Sequence, residues 1–410
     1  MLATPELIRE TAQSARLKEL YPRWREVPLY RARFGEAPQQ FSRFPLLTKR
    51  DMREGFPRNF LSSDAELKSL LDRDLVELEH TSGTSEERTP VLFRRGWWDE
   101  QEERALRLNA FVARVLDENP SARRATITTP ACNGKSCPVG WQSVAQRTFG
   151  STRFVNLARI PFVLSRAELD RMAAEIVEWS PQFLDVSPVH GVRFALHCEQ
   201  YGIRLPSLRF ILCSYEFVSV VHRRILERVF GVPVFNLYGS TETGHLLMED
   251  EHGQMRPSLG TAFFEVVDPD EFGIGNLAVT TLSNDLMPLL RYGIGDLVQR
   301  DEDPYRPAYR VHGRSRDTLC RNDCARITTL QVDECFREVS GIAHYEFRQL
   351  ADGSGKLRFI TDGVGPSGAE MNSLISKLKS LLGTRGRIQT EAANLLPPTH
   401  SGKFRLTISS

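Results

Sequence analysis

The sequence predicts an α/β protein. The expected architecture is a large N-terminal domain of parallel and mixed sheets with packed helices plus a β-rich subdomain, residues 1–316, and a small C-terminal α+β domain, 317–410, whose boundary and mobility rest on the motifs described below. Three observations predict it. Helical and extended periodicities alternate from residue 167 to residue 230, the pattern of parallel strands with helices on their faces. From Phe263 the helical signals give way to strands punctuated by turns. After Arg314 helix and strand signals return in a stretch the size of one small domain. At about 150 residues per domain, 410 residues leave room for two or three domains.

Taken in order, Thr4, Pro5 and Glu6 form a helix start, with a side-chain acceptor, a fixed φ and a negative charge facing the dipole, so a helix is expected to about Glu26. From Pro28 to Asp64 short apolar clusters alternate with Pro45, Pro57 and basic residues, which predicts a few short helices. Leu75, Val76 and Leu78 lead as a strand into a polar turn at 80–89, and Val91, Leu92 and Phe93 resume the strand. Helix 167–179, strand 183–186, helix 190–201, strand 208–213 and helix 220–230 follow. FFEVVDPDEFGIGNLAVTTL reads as a hairpin around an Asp/Pro/Gly-rich loop. The C-terminal part reads as helix 331–340, strands 345–350 and 357–361, and helix 367–382.

The 53 Lys and Arg balance 52 Asp and Glu to a net +1, so no global field draws a polyanion, and nucleic acid is not an expected partner. At 41% hydrophobic and 26% charged the composition excludes disordered and fibrous classes. The seven cysteines are scattered and odd in number, unlike a secreted disulfide framework, and read as reduced thiols. Glu6, Arg9 and Glu10 interrupt the N-terminus before a signal-length apolar core, and no run approaches the ~18 apolar residues of a membrane span. The expectation is a cytoplasmic protein with no membrane partner.

Two segments carry chemistry. HTSGTSEERTPVLF sets Thr81, Ser82, Thr84 and Ser85 around Gly83 directly after a strand, letting backbone N–H and side-chain O–H groups close around phosphate oxygens. It lacks the Lys and second Gly of G-x-x-x-x-G-K-[ST], and taken alone it serves equally as a polar hairpin turn. VPVFNLYGSTETG runs from a strand through Tyr238, Gly239, Ser240 and Thr241 to Glu242, at the strand end where open α/β sheets bind ligands. A carboxylate there suits Mg²⁺ beside phosphate oxygens, while Ser240 and Thr241 could equally cap a following helix.

Those two segments, with LSNDLMPLLRYGIGDLV, GRSRD and HSGKF, occur in one order from Thr81 to Lys403. The set resembles the adenylate-forming superfamily of acyl- and aryl-CoA ligases, adenylation domains and luciferases. FPLLTKRDMREGFP and SNDLMPLLRYGIGDL are most similar to its phenylacetate-CoA ligase branch. The resemblance implies two steps: a carboxylate attacks the α-phosphate of ATP, giving an acyl adenylate and pyrophosphate, and a thiol then displaces AMP. It also implies site residues. Thr81, Ser82, Gly83, Thr84 and Ser85 would cradle the β- and γ-phosphates, Thr241 would touch the α-phosphate and Glu242 would carry Mg²⁺. Tyr238, with Gly239 and Ser240 beside it, would lie along the adenine, with Ser214, Tyr215 and Glu216 lining its other side. Asp296 would accept both ribose hydroxyls. Arg314 would reach ribose or phosphate, Asp317 would be the hinge of the small domain, and Lys403 would be the catalytic lysine bridging carboxylate and α-phosphate.

The expected substrate is a small-molecule carboxylic acid, aromatic or heteroaromatic, in aromatic degradation or in secondary-metabolite or antibiotic biosynthesis. CoA is the first candidate acceptor. A carrier protein, a reductase or another downstream enzyme is the alternative, a degenerate ligand-binding homologue is a third reading, and a homodimer is left open.

Several positions depart from the pattern. Glu86 stands where the family has its second loop glycine, with Arg88 close by; Gly293 and Ile294 replace a basic residue and Thr; Arg316 takes a usual acidic position. Cys324 takes the place of the glycine ahead of the thiol-acceptor strand, where a Cβ and sulfur could narrow the pantetheine tunnel. Cys132 and Cys137, with His245 and His252, make a zinc site imaginable, but no second pair stands at ligand spacing. No G-x-S-x-G elbow supports a Ser-His-Asp hydrolase.

Overall fold

The computed structural model describes residues 15–20, 24–34, 44–81, 88–130, 142–301, 303, 306–384 and 386–409. The chain forms two compact units, Met1–Ala113 with Leu237–Val311, and Arg114–Asn236 with His312–Ser410.

Residues 15–20 are helical, within the helix expected to about Glu26, and three short helices follow in the first unit, α1 (Pro28–Phe34), α2 (Lys49–Arg53) and α3 (Asp64–Asp72). Thr48 and Asp51 close a capping box on α2, and the Ser63 hydroxyl caps α3, so both start where the side chains can take the first orphan N–H groups. Strands β1 (Val76–His80) and β2 (Pro90–Arg94) pair antiparallel, helix α4 (Trp97–Leu106) follows, and α5 (Ala110–Glu118) carries the chain into the second unit.

There β3 (Arg124–Ile127), β4 (Thr148–Phe149), β5 (Thr152–Phe154), α6 (Arg166–Trp179), β6 (Phe183–Val186), α7 (Pro188–Tyr201), β7 (Phe210–Cys213), α8 (Val220–Phe230) and β8 (Val234–Ser240) alternate as expected. Strands β5, β3, β6, β7 and the first residues of β8 are parallel neighbours, and β6 and β7 are buried along their whole length, as strands covered on both faces must be. Helix α7 starts two residues before its expected first residue because Pro188 occupies the first turn, where its missing N–H costs nothing.

From Leu237 the chain is back in the first unit. It adds β9 (Gly244–Glu249), β10 (Met255–Pro257), β11 (Ala262–Val267), β12 (Ile274–Thr281) and β13 (Tyr292–Arg300), and β14 (Tyr309–Arg314) starts there and passes into the second unit at His312. The β11–β12 hairpin is the one expected from the Asp/Pro/Gly loop. Phe93, Trp97, Leu247, Leu277, Val279 and Tyr292 form the middle of this unit's core.

The C-terminal part lies in the second unit, with β15 (Leu319–Cys320), β16 (Arg326–Ile327), α9 (Thr329–Glu334), β17 (Ile342–Gln349), β18 (Gly355–Thr361), α10 (Gly368–Leu382), β19 (Ile388–Ala392) and β20 (Thr407–Ser409). Its four-stranded sheet runs β19–β18–β17–β20. Phe336 and Tyr345 stack at 3.8 Å in a core with Phe347, Leu374 and Leu378. The helix expected over 331–340 stops at Glu334. Beyond it bonds such as Phe336 N–H to Asp333 O and Val339 N–H to Phe336 O tighten the turns, and the Arg224 guanidinium takes the carbonyls of Phe336, Arg337 and Val339.

The fold is therefore mixed α/β: a parallel sheet with helices, an antiparallel β-rich part and a C-terminal α+β part. Among the described residues no helix is long and apolar enough to cross a membrane. The helix start at Thr4, and Cys132 and Cys137, lie outside the described residues.

Candidate active site

In the first unit the YGSTE segment ends β8 and turns back into β9 instead of capping a helix. Ser240 pairs with Gly244, so Thr241, Glu242 and Thr243 form the turn. Its two glycines are required: a Cβ on Gly239 would lie 2.3 Å from the Gly244 carbonyl, and one on Gly244, at φ +73°, would lie 2.9 Å from the Trp97 ring. Ser240 Oγ and Thr243 Oγ1 lie 2.9 Å apart and brace the turn from inside.

The turn delivers a buried carboxylate. Glu242 Oε1 receives the Lys49 ammonium at 2.8 Å and the Tyr292 hydroxyl at 2.9 Å. Burial pushes the carboxyl up, but Lys49 and Tyr292 outweigh it and hold it below the usual carboxylate range. Tyr238, half-buried at the end of β8, donates its hydroxyl to Asp296 Oδ2 at 2.6 Å. Asp296 is a buried residue of β13. Thr81 closes the base of its loop, with its N–H on Thr89 O at 3.0 Å and its Oγ1 accepting Thr89 N–H at 3.2 Å. Ser82, Gly83, Thr84, Ser85 and Glu86 lie outside the described residues.

The second unit holds the other expected residues. Ser214, Tyr215 and Glu216 leave β7 through a tight turn in which Tyr215 has φ +74° and Glu216 N–H bonds Ser214 O at 2.9 Å. The Ser214 and Tyr215 hydroxyls both donate to Asp185, a buried carboxylate of β6. Glu216 accepts the Ser187 hydroxyl at 3.0 Å and Phe404 N–H at 3.3 Å. Burial pushes its carboxyl up to about 7, against the opposing pull of the Lys403 ammonium.

Lys403 sits on a closed loop. Thr399 donates its N–H and its hydroxyl to Lys403 O, at 2.7 and 2.8 Å. Gly402 takes φ +84°, and a Cβ there would stand 2.7 Å from Thr129 Cγ2. Arg314 ends β14, half-buried. Asp317 pairs with Arg405 at 2.6 Å, and its backbone carbonyl accepts the Thr407 hydroxyl at 2.7 Å. Cys324 is exposed and has φ +66°, a backbone conformation glycine adopts freely and a side chain rarely does.

Sequence reasoning missed Lys49, Tyr292, Asp185, Ser187 and Phe404. Lys49, Tyr292 and Phe404 stand in the quoted segments FPLLTKRDMREGFP, RYGIGD and HSGKF, but nothing in those segments points to their contacts with Glu242 and Glu216.

The fold is similar to that of solved CoA ligases holding acyl adenylates, and both the sequence relatives and these structural neighbours are enzymes of the adenylate-forming superfamily. Within it the chain is similar to phenylacetate-coenzyme A ligases: it is 24% identical over 361 residues to that of Pseudomonas putida, covering 80% of this chain and 75% of that one. It is 28% identical over 212 residues to Protein CapK of Staphylococcus aureus, and the match spans 49% of this chain and about half, 46%, of that relative. Among solved structures it is similar to 2-hydroxyisobutyryl-CoA ligase in the postadenylation state with 2-HIB-AMP. The TM-score is 0.68 at 18% identity, covering 98% of this chain and 89% of that one. No protein-family model matches the chain.

Proposed function

We propose that the chain activates a carboxylic acid, aromatic or heteroaromatic, with ATP, and passes the acyl group to the thiol of CoA. In the first step an acid oxygen bonds to the α-phosphorus and the bond to the pyrophosphate leaving group breaks. In the second the thiol, losing its proton, attacks the acyl carbon and AMP leaves.

One observation carries the reading: Tyr238 and Asp296 are joined at 2.6 Å, so an aromatic face suited to a purine is held beside a carboxylate suited to two ribose hydroxyls. Thr241 is one residue from the buried carboxylate of Glu242 on the same turn and takes the α-phosphate. A single carboxylate beside phosphate oxygens is enough to hold Mg²⁺, so Glu242 fits that ion, provided Lys49 shares its carboxylate. Bound there, Mg²⁺ would neutralise charge developing on the phosphoryl oxygens. Lys49 supplies a second positive charge for the same purpose. Lys403 spans the acid oxygen and the α-phosphate as charge moves between them. Thr81 to Ser85 receive the outer phosphates, Ser214 to Glu216 line the purine, and Arg314 reaches ribose or phosphate. Residues 317–410 act as the lid, turning about Asp317.

A second reading, an adenylating enzyme that hands the acyl group to a carrier protein or another nucleophile, is favoured by one feature, Cys324 held in a glycine-like conformation at φ +66°. Acid-dependent ATP–pyrophosphate exchange over a panel of aryl and alkyl acids, with and without CoA and with Lys403→Ala as control, tests both. Exchange with CoA consumption supports the first reading, exchange without it the second. No exchange with any acid overturns both and leaves a ligand-binding protein.

A further inference from the structure

We infer that Glu216 is a positioning residue for Lys403: its carboxylate anchors the lysine's loop and draws the ammonium to one place. The inference rests on the adenylation reading above.

The turn that carries Glu216 cannot drift. Asp185 accepts the hydroxyls of both preceding residues, and Ser214 N–H bonds Val186 O at 3.1 Å. Its two oxygens have separate employment, Oε1 with the Ser187 hydroxyl and Oε2 with the backbone N–H of Phe404, the residue next to the lysine. The loop is fixed from its other sides by Thr399 on Lys403 O, by the Thr129 hydroxyl on Gly402 O at 3.4 Å and by Arg159 on His400 O. The Phe404 ring stands edge-on to the rings of His190 and His344, with centroids 6.2 and 5.1 Å away. Backbone and side chain on the C-terminal flank of Lys403 are thus both seated, and the flexible four-carbon stem remains as its freedom. A carboxylate at the root of that stem restricts where the ammonium goes before any phosphate arrives.

A buried carboxylate without a cation would be costly, and Lys403 is the charged group that faces it. His190 is one hydroxyl away, its Nδ1 3.3 Å from Ser187 Oγ; burial pushes it down to about 4, so it is neutral near neutral pH. The charge on Glu216 therefore switches on as the pH rises through about 7. Below that the neutral carboxyl still accepts Phe404 N–H but no longer attracts the ammonium.

The test compares wild type, Glu216→Gln and Ser187→Ala in pyrophosphate exchange between pH 6 and 9, each with Lys403 reactivity read in parallel. For the second measurement the protein without nucleotide is treated with a water-soluble succinimidyl ester, and acylation of Lys403 is followed by mass spectrometry. The wild-type rate should rise through neutrality. Glu216→Gln should lose that rise and fall about tenfold in kcat at the alkaline end, with KM for ATP changed less than about twofold. Ser187→Ala, which removes a donor to the charged form, should move the rise to higher pH. Lys403 should be acylated several-fold faster in Glu216→Gln than in wild type. A wild-type pH profile together with unchanged Lys403 reactivity in Glu216→Gln overturns the inference. If the wild type shows no exchange with any acid, the adenylation reading fails, and the acylation rates still decide whether Glu216 holds Lys403.

Discussion

Lys49 and Tyr292 converge on one oxygen, Oε1 of Glu242, at 2.8 and 2.9 Å, so a carboxylate buried to 3% exposure keeps its charge through a cation from the N-terminal helices and a hydroxyl from β13. Lys49 itself is about one-third exposed, at 34%, and can move while Glu242 cannot. The pair is a preset counter-charge at the end of β8.

Lys49→Met should therefore leave an uncompensated buried carboxylate and cost roughly 1–3 kcal/mol at neutral pH. The Glu242 carboxyl is held low in the folded chain, so its contribution is present above the ordinary glutamate value and fades as the pH falls through the folded one. Denaturant melts at pH 7 should separate variant from wild type, and the gap should narrow under acid conditions. Affinity for ATP with Mg²⁺ should also fall in the variant.

Gly402→Ala should slow pyrophosphate exchange by about a hundredfold, because the added carbon meets Thr129 Cγ2 at 2.7 Å and the backbone is already at φ +84°. Thr129→Ser in the same chain removes the obstructing methyl and should recover part of the rate. Equal rates in the single and double variants would show that the contact does not set the lysine loop.

Acid should weaken the second unit through His222 and His344, whose Nε2 and Nδ1 lie 3.1 Å apart in the interior. Burial pushes His222 down to about 3, and burial together with His222 holds His344 well below the ordinary value. For histidines held low, the stability is present above the unfolded value of 6.5 and is lost as the pH falls below it. The loss should approach about 1.4 kcal/mol per pH unit for each ring. Thermal melts from pH 7.5 to 4.5 should show this slope, and His222→Phe should flatten it.

Cys324→Gly should raise stability by roughly 0.5–1 kcal/mol, since it relieves a side chain at φ +66°. If the acceptor is CoA and its pantetheine passes this residue, CoA-dependent turnover should rise while pyrophosphate exchange stays the same. A lowered melting temperature would contradict the relief of strain.

Much of the fold was legible in periodicity. The strand Phe183–Val186 and the helix Val220–Phe230 fall on the residues expected, because each is long enough to show its own pattern and ends at a clear breaker. The α9 boundary was not, since Arg224, more than a hundred positions earlier, takes the carbonyls that a longer helix would use. Among site residues, Glu242, Asp296 and Lys403 stood in recognisable segments. The contacts at the site were not legible: Lys49, itself in the quoted FPLLTKRDMREGFP segment, meets Glu242 from a remote part of the chain, as Asp185 meets Ser214 and Tyr215 and Ser187 meets Glu216, and such side-chain contacts leave no periodic trace.

Asp333 accepts the Ser219 hydroxyl, Val220 N–H at 2.9 Å and the Tyr345 hydroxyl at 2.8 Å, so it completes the start of α8 from 113 positions downstream. On a ribosome adding about 5–20 residues per second, the start of that helix emerges roughly 6–23 s before Asp333 does. For that interval Val220 N–H and the apolar Val221 lack the partners that Asp333 and the C-terminal core give them, so this stretch is one that a holding chaperone would protect during synthesis.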